Sequence, residues 1–156
     1  MPERRENRNQ TQRAALPDIK FYINPEEKTI DPELYCGKAQ EIAGALSDRS
    51  KNKSSQIRKY YDELVALEDR LRVSDEPERD WAVIKPLVKM TVAKVAYAQA
   101  RELVTPNFVK FVKSGVDQIN DHQDLSVFTT LFEAVIAFKK LEEEQNKNRR
   151  VSEQRR

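Results

Sequence analysis

Apolar residues recur at intervals of three and four along most of this chain, the period of an α-helix with one buried face. The first such segment covers about residues 32–47, where Asp31 is the predicted cap and Pro32 the first helical residue. The second begins at Ser54 or Ser55, either of which is a predicted cap, and reaches about residue 71. The predicted buried faces are Leu34, Ala39, Ile42, Ala43 and Leu46, then Ile57, Tyr60, Tyr61, Leu64, Leu67 and Leu71.

Three more helical patterns follow a polar break that ends at Pro77. The third covers about residues 78–103 and is expected to kink or break near Pro86, because proline lacks an amide donor and clashes with the preceding turn. The fourth starts after Thr105 and covers about 106–120, and the fifth begins at about residue 125. The residues expected to point inward are Phe108, Phe111, Val112, Val116 and Ile119, then Val127, Phe128, Leu131, Phe132, Val135, Ile136, Phe138 and Leu141.

The two ends of the chain lack this period. Residues 1–30 are predicted to be a basic, mostly irregular arm, in which Lys20-Phe-Tyr-Ile23 is either a strand or a segment packed on the helices. Residues 142–156, where the helical pattern dissolves, are predicted to be a charged tail. The sequence therefore predicts an all-α fold, a five-helix bundle over residues 31–141 with disordered or loosely packed N- and C-terminal arms.

Composition supports one helical domain. The chain has 156 residues but only 3 glycines, whereas sheet-rich folds need many glycine-containing turns. Its 28 basic and 26 acidic residues leave a net charge of +2, so total charge alone indicates no polyanionic partner. The single cysteine, Cys36, allows no internal disulfide and no cysteine cluster for a metal. It is predicted to be a small core residue.

Several functional classes lack their sequence features here. The apolar runs are far shorter than the roughly 20 residues that cross a bilayer, and the N-terminus has no hydrophobic signal region. No phosphate-binding loop, dinucleotide motif, zinc-protease motif or nucleophile elbow is present. His122 lies between Asp121 and Asp124, where a surface turn is a simpler interpretation than a catalytic pair. We expect a cytoplasmic protein with no enzymatic activity, no cofactor, no metal and no membrane contact.

Two segments each carry four or more basic residues and no acidic ones. The first, residues 49–61, contains Arg49, Lys51, Lys53, Arg58 and Lys59 around the predicted start of the second helix. Unpaired backbone N–H groups and the positive end of the helix dipole make such a start attractive to anions. Placing cations rather than carboxylates in a first turn costs about 0.3–1 kcal/mol per charge, which favours a phosphate contact over a merely solvated basic loop.

The second acid-free segment, residues 81–101, belongs to the third helix. At about 100° per residue, its core face contains Ile84, Val88, Thr91, Val95 and Ala98. Lys94 and Arg101 lie together elsewhere on the helix, beside Met90 and Tyr97, while Lys85 and Lys89 form a separate flank. Cations beside an aromatic ring are typical of proteins that hold single-stranded nucleic acid. The alternative is that Met90 and Tyr97 are core and that Lys94 packs its stem on neighbours.

Three segments also resemble a known family. They are Ser55-Gln-Ile-Arg-Lys-Tyr-Tyr-Asp-Glu63, the stretch from Lys85-Pro-Leu-Val-Lys-Met to Ala93-Lys-Val-Ala-Tyr-Ala-Gln-Ala-Arg101, and Phe108-Val-Lys-Phe-Val112. In this order and spacing they resemble the small helical subunit of the type III-A CRISPR effector, the Csm complex. The resemblance covers about residues 50–140 and excludes the two arms. Ala100 departs from the glycine expected before Arg101 in many relatives.

This resemblance implies a non-catalytic RNA-binding scaffold inside a ribonucleoprotein. Several copies would stack into a short filament beside the guide RNA and its paired target RNA, in contact with other effector subunits. The RNA-binding residues that it implies, through backbone contacts independent of sequence, are Lys53, Arg58, Lys59, Lys94 and Arg101, with Lys51, Lys85 and Lys89 as further candidates. The alternative function is a helical protein–protein adaptor that docks a partner on the third helix and has no direct contact with nucleic acid.

Overall fold

The computed structural model describes residues 14–156, and in this part of the chain five α-helices pack against one another and against a small β-hairpin. The hairpin consists of β1 (Tyr22–Asn24) and β2 (Thr29–Ile30), which pair antiparallel. A π-helical turn, Leu34–Lys38, leads directly into the first α-helix. The helices are α1 (Ala39–Ala45), α2 (Ser54–Arg72), α3 (Pro77–Ala100), α4 (Pro106–Asp117) and α5 (His122–Gln154). The all-α prediction is confirmed.

Local sequence accounts for where the later helices start. The Thr105 side chain caps α4 by accepting a hydrogen bond from the Phe108 amide, and Pro106 occupies the first helical position. Asp121 caps α5 in the same way, with its carboxylate 2.9 Å from the Asp124 amide. The helix α3 runs through Pro86 without the break that the sequence allowed.

The order of packing places α2 between α3 and α5, with α1 on α5 and α4 on α3. At the centre lie four fully buried phenylalanines whose ring centroids are 5.2–6.4 Å apart in successive contacts: Phe108, Phe111, Phe128 and Phe132. Aromatic pairs at this separation add favourable edge-to-face contacts to the burial of their large apolar area. The inward faces predicted for the helices are buried or half-buried, except at Leu141, which is 53% exposed.

The β-hairpin is tied to the start of α5. The Tyr22 hydroxyl donates to Asp124 at 2.5 Å, Lys28 forms an ion pair with Asp121, and the Phe21 amide donates to Gln118. The sequence left open whether the segment Lys20–Ile23 is a strand or a segment packed on the helices. It is both, because part of it forms β1 and it contacts α5 and the residues just before it. Residues 1–13 of the predicted N-terminal arm lie outside the described residues.

Two predictions about individual regions are wrong. Residues 142–154 continue α5 instead of ending it, because Glu, Gln, Lys and Arg are good helix formers and pair at a spacing of four. This extension is mostly exposed, so it is a loosely packed arm of helical structure. Cys36 is exposed rather than buried, since the π-helical turn directs Leu34 into the core in its place.

Candidate nucleic-acid interface

Asn52 fixes the loop between α1 and α2 to the turn between α3 and α4. Its side chain is fully buried, and its φ of 56° is one that asparagine adopts more readily than most residues. The side-chain Nδ2 donates to the Leu46 carbonyl (2.9 Å) and to Thr105 Oγ1 (2.8 Å), while Oδ1 accepts from the Thr105 amide (2.9 Å). The backbone amide of Asn52 donates to the Leu103 carbonyl. This clamp holds the start of α2 beside the end of α3.

This clamp was not predicted from the sequence. Its one sequence signal is an asparagine among cations in a loop, since asparagine is enriched where φ is positive. The partners at residues 103 and 105 are about 50 positions away, and no local pattern predicts that pairing. The clamp matters for the site because it decides which ends of the two acid-free segments meet.

The first turn of α2 combines backbone donors with cations. Lys53 is the N-cap residue, and its side chain makes no capping hydrogen bond. The prediction that Ser54 or Ser55 caps α2 is therefore wrong, and Ser54 instead donates its hydroxyl to Glu143 Oε2 at 3.2 Å. The first amides of α2 thus have no side-chain acceptor from their own cap residue, which is the arrangement that attracts an anion.

Six exposed residues of α3 and its C-cap form a stripe that is apolar at one end and cationic at the other. At about 100° per residue its members fall within about 40° of a single line along the helix. The interpretation that Met90 and Tyr97 belong to the core is wrong, because they are 52% and 66% exposed. The predicted core face of α3 is buried throughout. This surface, called the α3 stripe below, consists of Val83, Leu87, Met90, Lys94, Tyr97 and Arg101.

The cationic end of the α3 stripe meets α2 around Tyr60, whose sequence neighbour is Lys59. The Arg101 guanidinium carbon lies 5.8 Å from the centroid of the Tyr97 ring, and Lys59 Nζ lies 5.6 Å from that of Tyr60. Burial raises the pKa of the Tyr60 hydroxyl, and the charges of Lys94 and Arg101 oppose that rise, which places both cations near this hydroxyl. The structure therefore unites cations from the two acid-free segments.

Among the eight predicted RNA-binding residues, Lys94 alone forms an ion pair with a described residue. Its Nζ lies 3.0 Å from Glu63 Oε2, with the two side chains 47% and 33% exposed. Pairs at this exposure contribute at most about 1 kcal/mol, so the lysine can exchange partners. The other seven have no carboxylate of residues 14–156 within ion-pair distance: Lys51, Lys53, Arg58, Lys59, Lys85, Lys89 and Arg101.

Arg58 lies on the α5 side of α2 and not with Lys59, since consecutive helical residues point about 100° apart. It borders a surface depression together with Ile136, Lys139 and Lys140 of α5. The structure thus divides the predicted cations of α2 between two of its neighbours. Lys59 joins the α3 stripe, and Arg58 faces α5.

A cleft of about 240 Å³, called the α2–α5 cleft below, separates the loop before α2 from the C-terminal half of α5. Its basic lining residues are Arg49, Lys51, Lys53, Lys139, Lys147 and Arg150, and its acidic ones are Asp48, Glu142 and Glu143. The cations of α5 were not among the predicted site residues, because the predicted helix ended near residue 141. The lysine–glutamate spacing of four in residues 139–144 is the signal that could have extended it.

Lys85 and Lys89 lie on a separate flank of α3, as predicted, away from both the α3 stripe and the α2–α5 cleft. On α3 they fall more than about 100° around the helix from the α3 stripe. Lys85 is half-buried and Lys89 is exposed. The structure brings neither of them to the α2–α5 cleft, so they form a separate pair.

The opposite end of the bundle is acidic. The turn from α2 into α3 contains Val73, which is 81% exposed, and is surrounded by carboxylates. Two nearby arginines are engaged within this acidic group, Arg72 with Asp69 and Arg79 with Glu76. Because α2 and α3 run antiparallel, both acid-free segments have their cationic ends far from this turn. The acidic residues are Asp69, Asp75, Glu76, Glu78 and Asp80.

The region around the single histidine is occupied by structural contacts. His122 is the first residue of α5 and is half-buried. Partial burial opposes ionisation of the Asp121 carboxyl, but Lys28 and the Asp124 amide outweigh it and hold its pKa below the usual value. Among residues 14–156, no group of three or more His, Cys, Asp and Glu side chains is arranged to hold a metal ion. None of the helices described is long and apolar enough to cross a membrane.

Comparison with known proteins gives one match. A family model described as Csm2 Type III-A matches residues 30–145. These residues contain Ile30 of β2, the π-helical turn, all of α1 to α4, and α5 to residue 145, which includes Lys139 and Glu143 of the α2–α5 cleft but not Lys147 or Arg150. No curated protein and no solved structure matches the chain.

Proposed function

The chain belongs to the Csm2 Type III-A family, and we propose that it is a non-catalytic subunit of a type III-A CRISPR ribonucleoprotein that holds target RNA by its backbone. The family consists of small structural subunits of the Csm complex. The proposal adds direct RNA contact, stacking of several copies along the guide–target duplex, a cytoplasmic location, and contacts with guide RNA and with other effector subunits.

The observation that carries this proposal is the meeting of the two acid-free segments at one end of the bundle. The Asn52 clamp joins the loop that contains Lys51 and Lys53 to the turn that follows Arg101. Cations that are not neutralised by carboxylates are the main source of affinity for a phosphate backbone. The acidic turn at the other end would repel the same polyanion, so RNA is directed to the basic end.

The chemistry of this end favours backbone contact over base reading. Lysine and arginine side chains and helix N-termini bind phosphate oxygens, which carry no sequence information. Tyr97 is exposed beside Arg101 and offers a ring on which a base can stack regardless of its identity. Specificity would then come from pairing between guide and target.

Substitution of single cations in the assembled complex tests the proposal. For Lys53→Gln, Arg58→Gln or Lys94→Gln, we expect weaker binding of target RNA and a salt slope lower by about 0.7–0.9 per contact removed. Arg79→Gln is the matched control, because it removes one exposed cation at the acidic end. Equal affinity and slope in wild type, control and all three variants would show that this end does not bind RNA.

The apolar end of the α3 stripe favours the second candidate function, an adaptor for proteins. Val83, Leu87 and Met90 are 64%, 45% and 52% exposed, and apolar residues that cluster on a surface mark interfaces. A helical adaptor without RNA contact would use this surface alone. The absorbance ratio of the natively purified complex at 260 and 280 nm separates the two, since a protein-only assembly shows no co-purifying nucleic acid.

A further inference from the structure

One carboxylate of the α2–α5 cleft contacts the first residue of α2. Glu143 Oε2 accepts from the Ser54 hydroxyl at 3.2 Å, and Glu143 Oε1 accepts from Lys139 Nζ at 2.5 Å. The side chain therefore bridges α5 and the start of α2. Lys139 is only 9% exposed at its side chain, so its ammonium is largely removed from water and relies on this partner.

These contacts are the ones that a phosphate oxygen would make. A hydroxyl, an ammonium and the first amides of a helix are the usual ligands of a phosphate in proteins. Partial burial opposes ionisation of Glu143, but the hydrogen bonds from Lys139 and Ser54 outweigh it and hold the pKa of this carboxyl below its usual value. Glu143 is therefore an anion at neutral pH, in the place where an RNA phosphate would bind.

From this geometry we infer that Glu143 is a built-in competitor of the RNA backbone, which a phosphate of the bound strand displaces from Ser54 and Lys139. The inference rests on the proposed RNA-binding function of the same end of the bundle. The Glu143 side chain is 35% exposed, so the released carboxylate can turn into water. The phosphate that replaces Glu143 is itself an anion, so the buried Lys139 ammonium keeps a charged partner when the carboxylate leaves.

Displacement has a consequence for salt dependence. A phosphate that binds cations releases counterions, which steepens the dependence of affinity on salt. When the Glu143 carboxylate is displaced into water at the same time, it attracts cations from solution. This uptake cancels part of the counterion release from the RNA. Removing the Glu143 charge should therefore both tighten RNA binding and steepen the salt slope. Removing a carboxylate elsewhere changes the net charge by the same amount but frees no phosphate site.

The test compares Glu143→Gln with Glu153→Gln in the full chain, with a mixed-sequence single-stranded RNA as the probe. Glutamine keeps one acceptor oxygen for Lys139 Nζ and turns an N–H donor toward the Ser54 hydroxyl oxygen, so both contacts can persist without the negative charge. Glu153 lies on the same helix, is exposed and has no cation of residues 14–156 within ion-pair distance. Fluorescence anisotropy between about 50 and about 200 mM salt should show Glu143→Gln binding about threefold more tightly than the control, with a slope steeper by about 0.7.

Indistinguishable affinities and slopes in the two variants would overturn the inference, and so would weaker binding by Glu143→Gln. If Glu143→Gln does not fold, Glu143→Asp replaces it, because the shorter side chain keeps the charge but does not reach Ser54. Glu143→Asp should again bind RNA more tightly than the wild type, and equal or weaker binding would again overturn the inference. If Lys53→Gln and Arg58→Gln weaken binding while the glutamate variants are equal, the competitor role fails and the RNA-binding function stands.

Discussion

Removal of the Asn52 side chain should destabilise the whole bundle, although the residue lies in a surface loop. Asn52→Ala deletes three buried hydrogen bonds with Leu46 and Thr105. Each contributes about 0.5–1.5 kcal/mol net, and because the Thr105 amide is left without an acceptor we take at least the middle of that range, about 1 kcal/mol, for each. We therefore expect a loss of about 3 kcal/mol from these bonds.

The positive φ of Asn52 adds a second contribution that a matched variant isolates. Alanine at a φ of 56° is strained by about 1 kcal/mol, whereas glycine adopts this conformation freely. Asn52→Ala should therefore lose about 4 kcal/mol and Asn52→Gly about 3 kcal/mol. Both losses are large against the total stability of about 5–15 kcal/mol expected for a domain of this kind.

Urea unfolding of the full chain, followed by circular dichroism at 222 nm, measures both losses. The m-value should stay unchanged, because neither variant alters the area buried in the folded bundle by much. A loss below about 1 kcal/mol for Asn52→Ala would refute the clamp as described. Equal stability of the alanine and glycine variants would refute the assigned backbone strain, and would leave the hydrogen bonds as the whole effect.

Three further predictions concern other positions. Glu102 follows α3 with a φ of 61°, so Glu102→Gly should stabilise the chain by about 1 kcal/mol, seen as a melting temperature higher by about 2–4 °C. Gly115→Ala should destabilise it by about 1–3 kcal/mol or more in urea unfolding, because the new Cβ would lie 2.1 Å from the Phe128 ring. The pKa of Asp121 is lowered in the folded state, so its stabilising contribution is complete above the ordinary aspartate pKa of about 3.9 and is lost as pH falls through the lower folded value. Lys28→Met should reduce this acid-dependent loss, because the Asp124 amide remains as the other main group that lowers the pKa. An unchanged difference in unfolding free energy between pH 6 and pH 3 would show that the Lys28 pair does not contribute to it.

The helices and their buried faces were predictable because each depends on neighbours in sequence. The period of apolar residues in α3 assigns Val88 and Val95 to the core without knowledge of the fold, and both are buried. The Thr105 cap was predictable for the same reason, since its acceptor oxygen and the amide it serves are three residues apart. Where the periodic signal weakened, at residues 142–154, the prediction of a tail was wrong because charged residues support a helix without any buried face.

The candidate site was only partly predictable, since it depends on contacts between distant segments. The sequence identified Lys94 and Arg101 as neighbours on one helix, but not that Tyr60 of α2, with Lys59 over its ring, lies near them. Nor could it pair Ser54 with Glu143, which is 89 residues away. The pattern of charges therefore predicted which basic residues lie together in sequence. The Asn52 clamp and the position of the Glu143 carboxylate are known only from the tertiary structure.

The order of charges along residues 49–101 explains why one short hairpin of helices suffices to separate them. A basic segment, an acidic turn and a second basic segment follow one another in sequence. An antiparallel pair of helices brings the first and third together and places the second at the far end. The 19 residues of α2 span about 28 Å, roughly three and a half times the Debye length of about 8 Å at physiological salt. The acidic turn thus has little direct effect on phosphates at the basic end, so a net charge of +2 is compatible with strong local attraction for RNA.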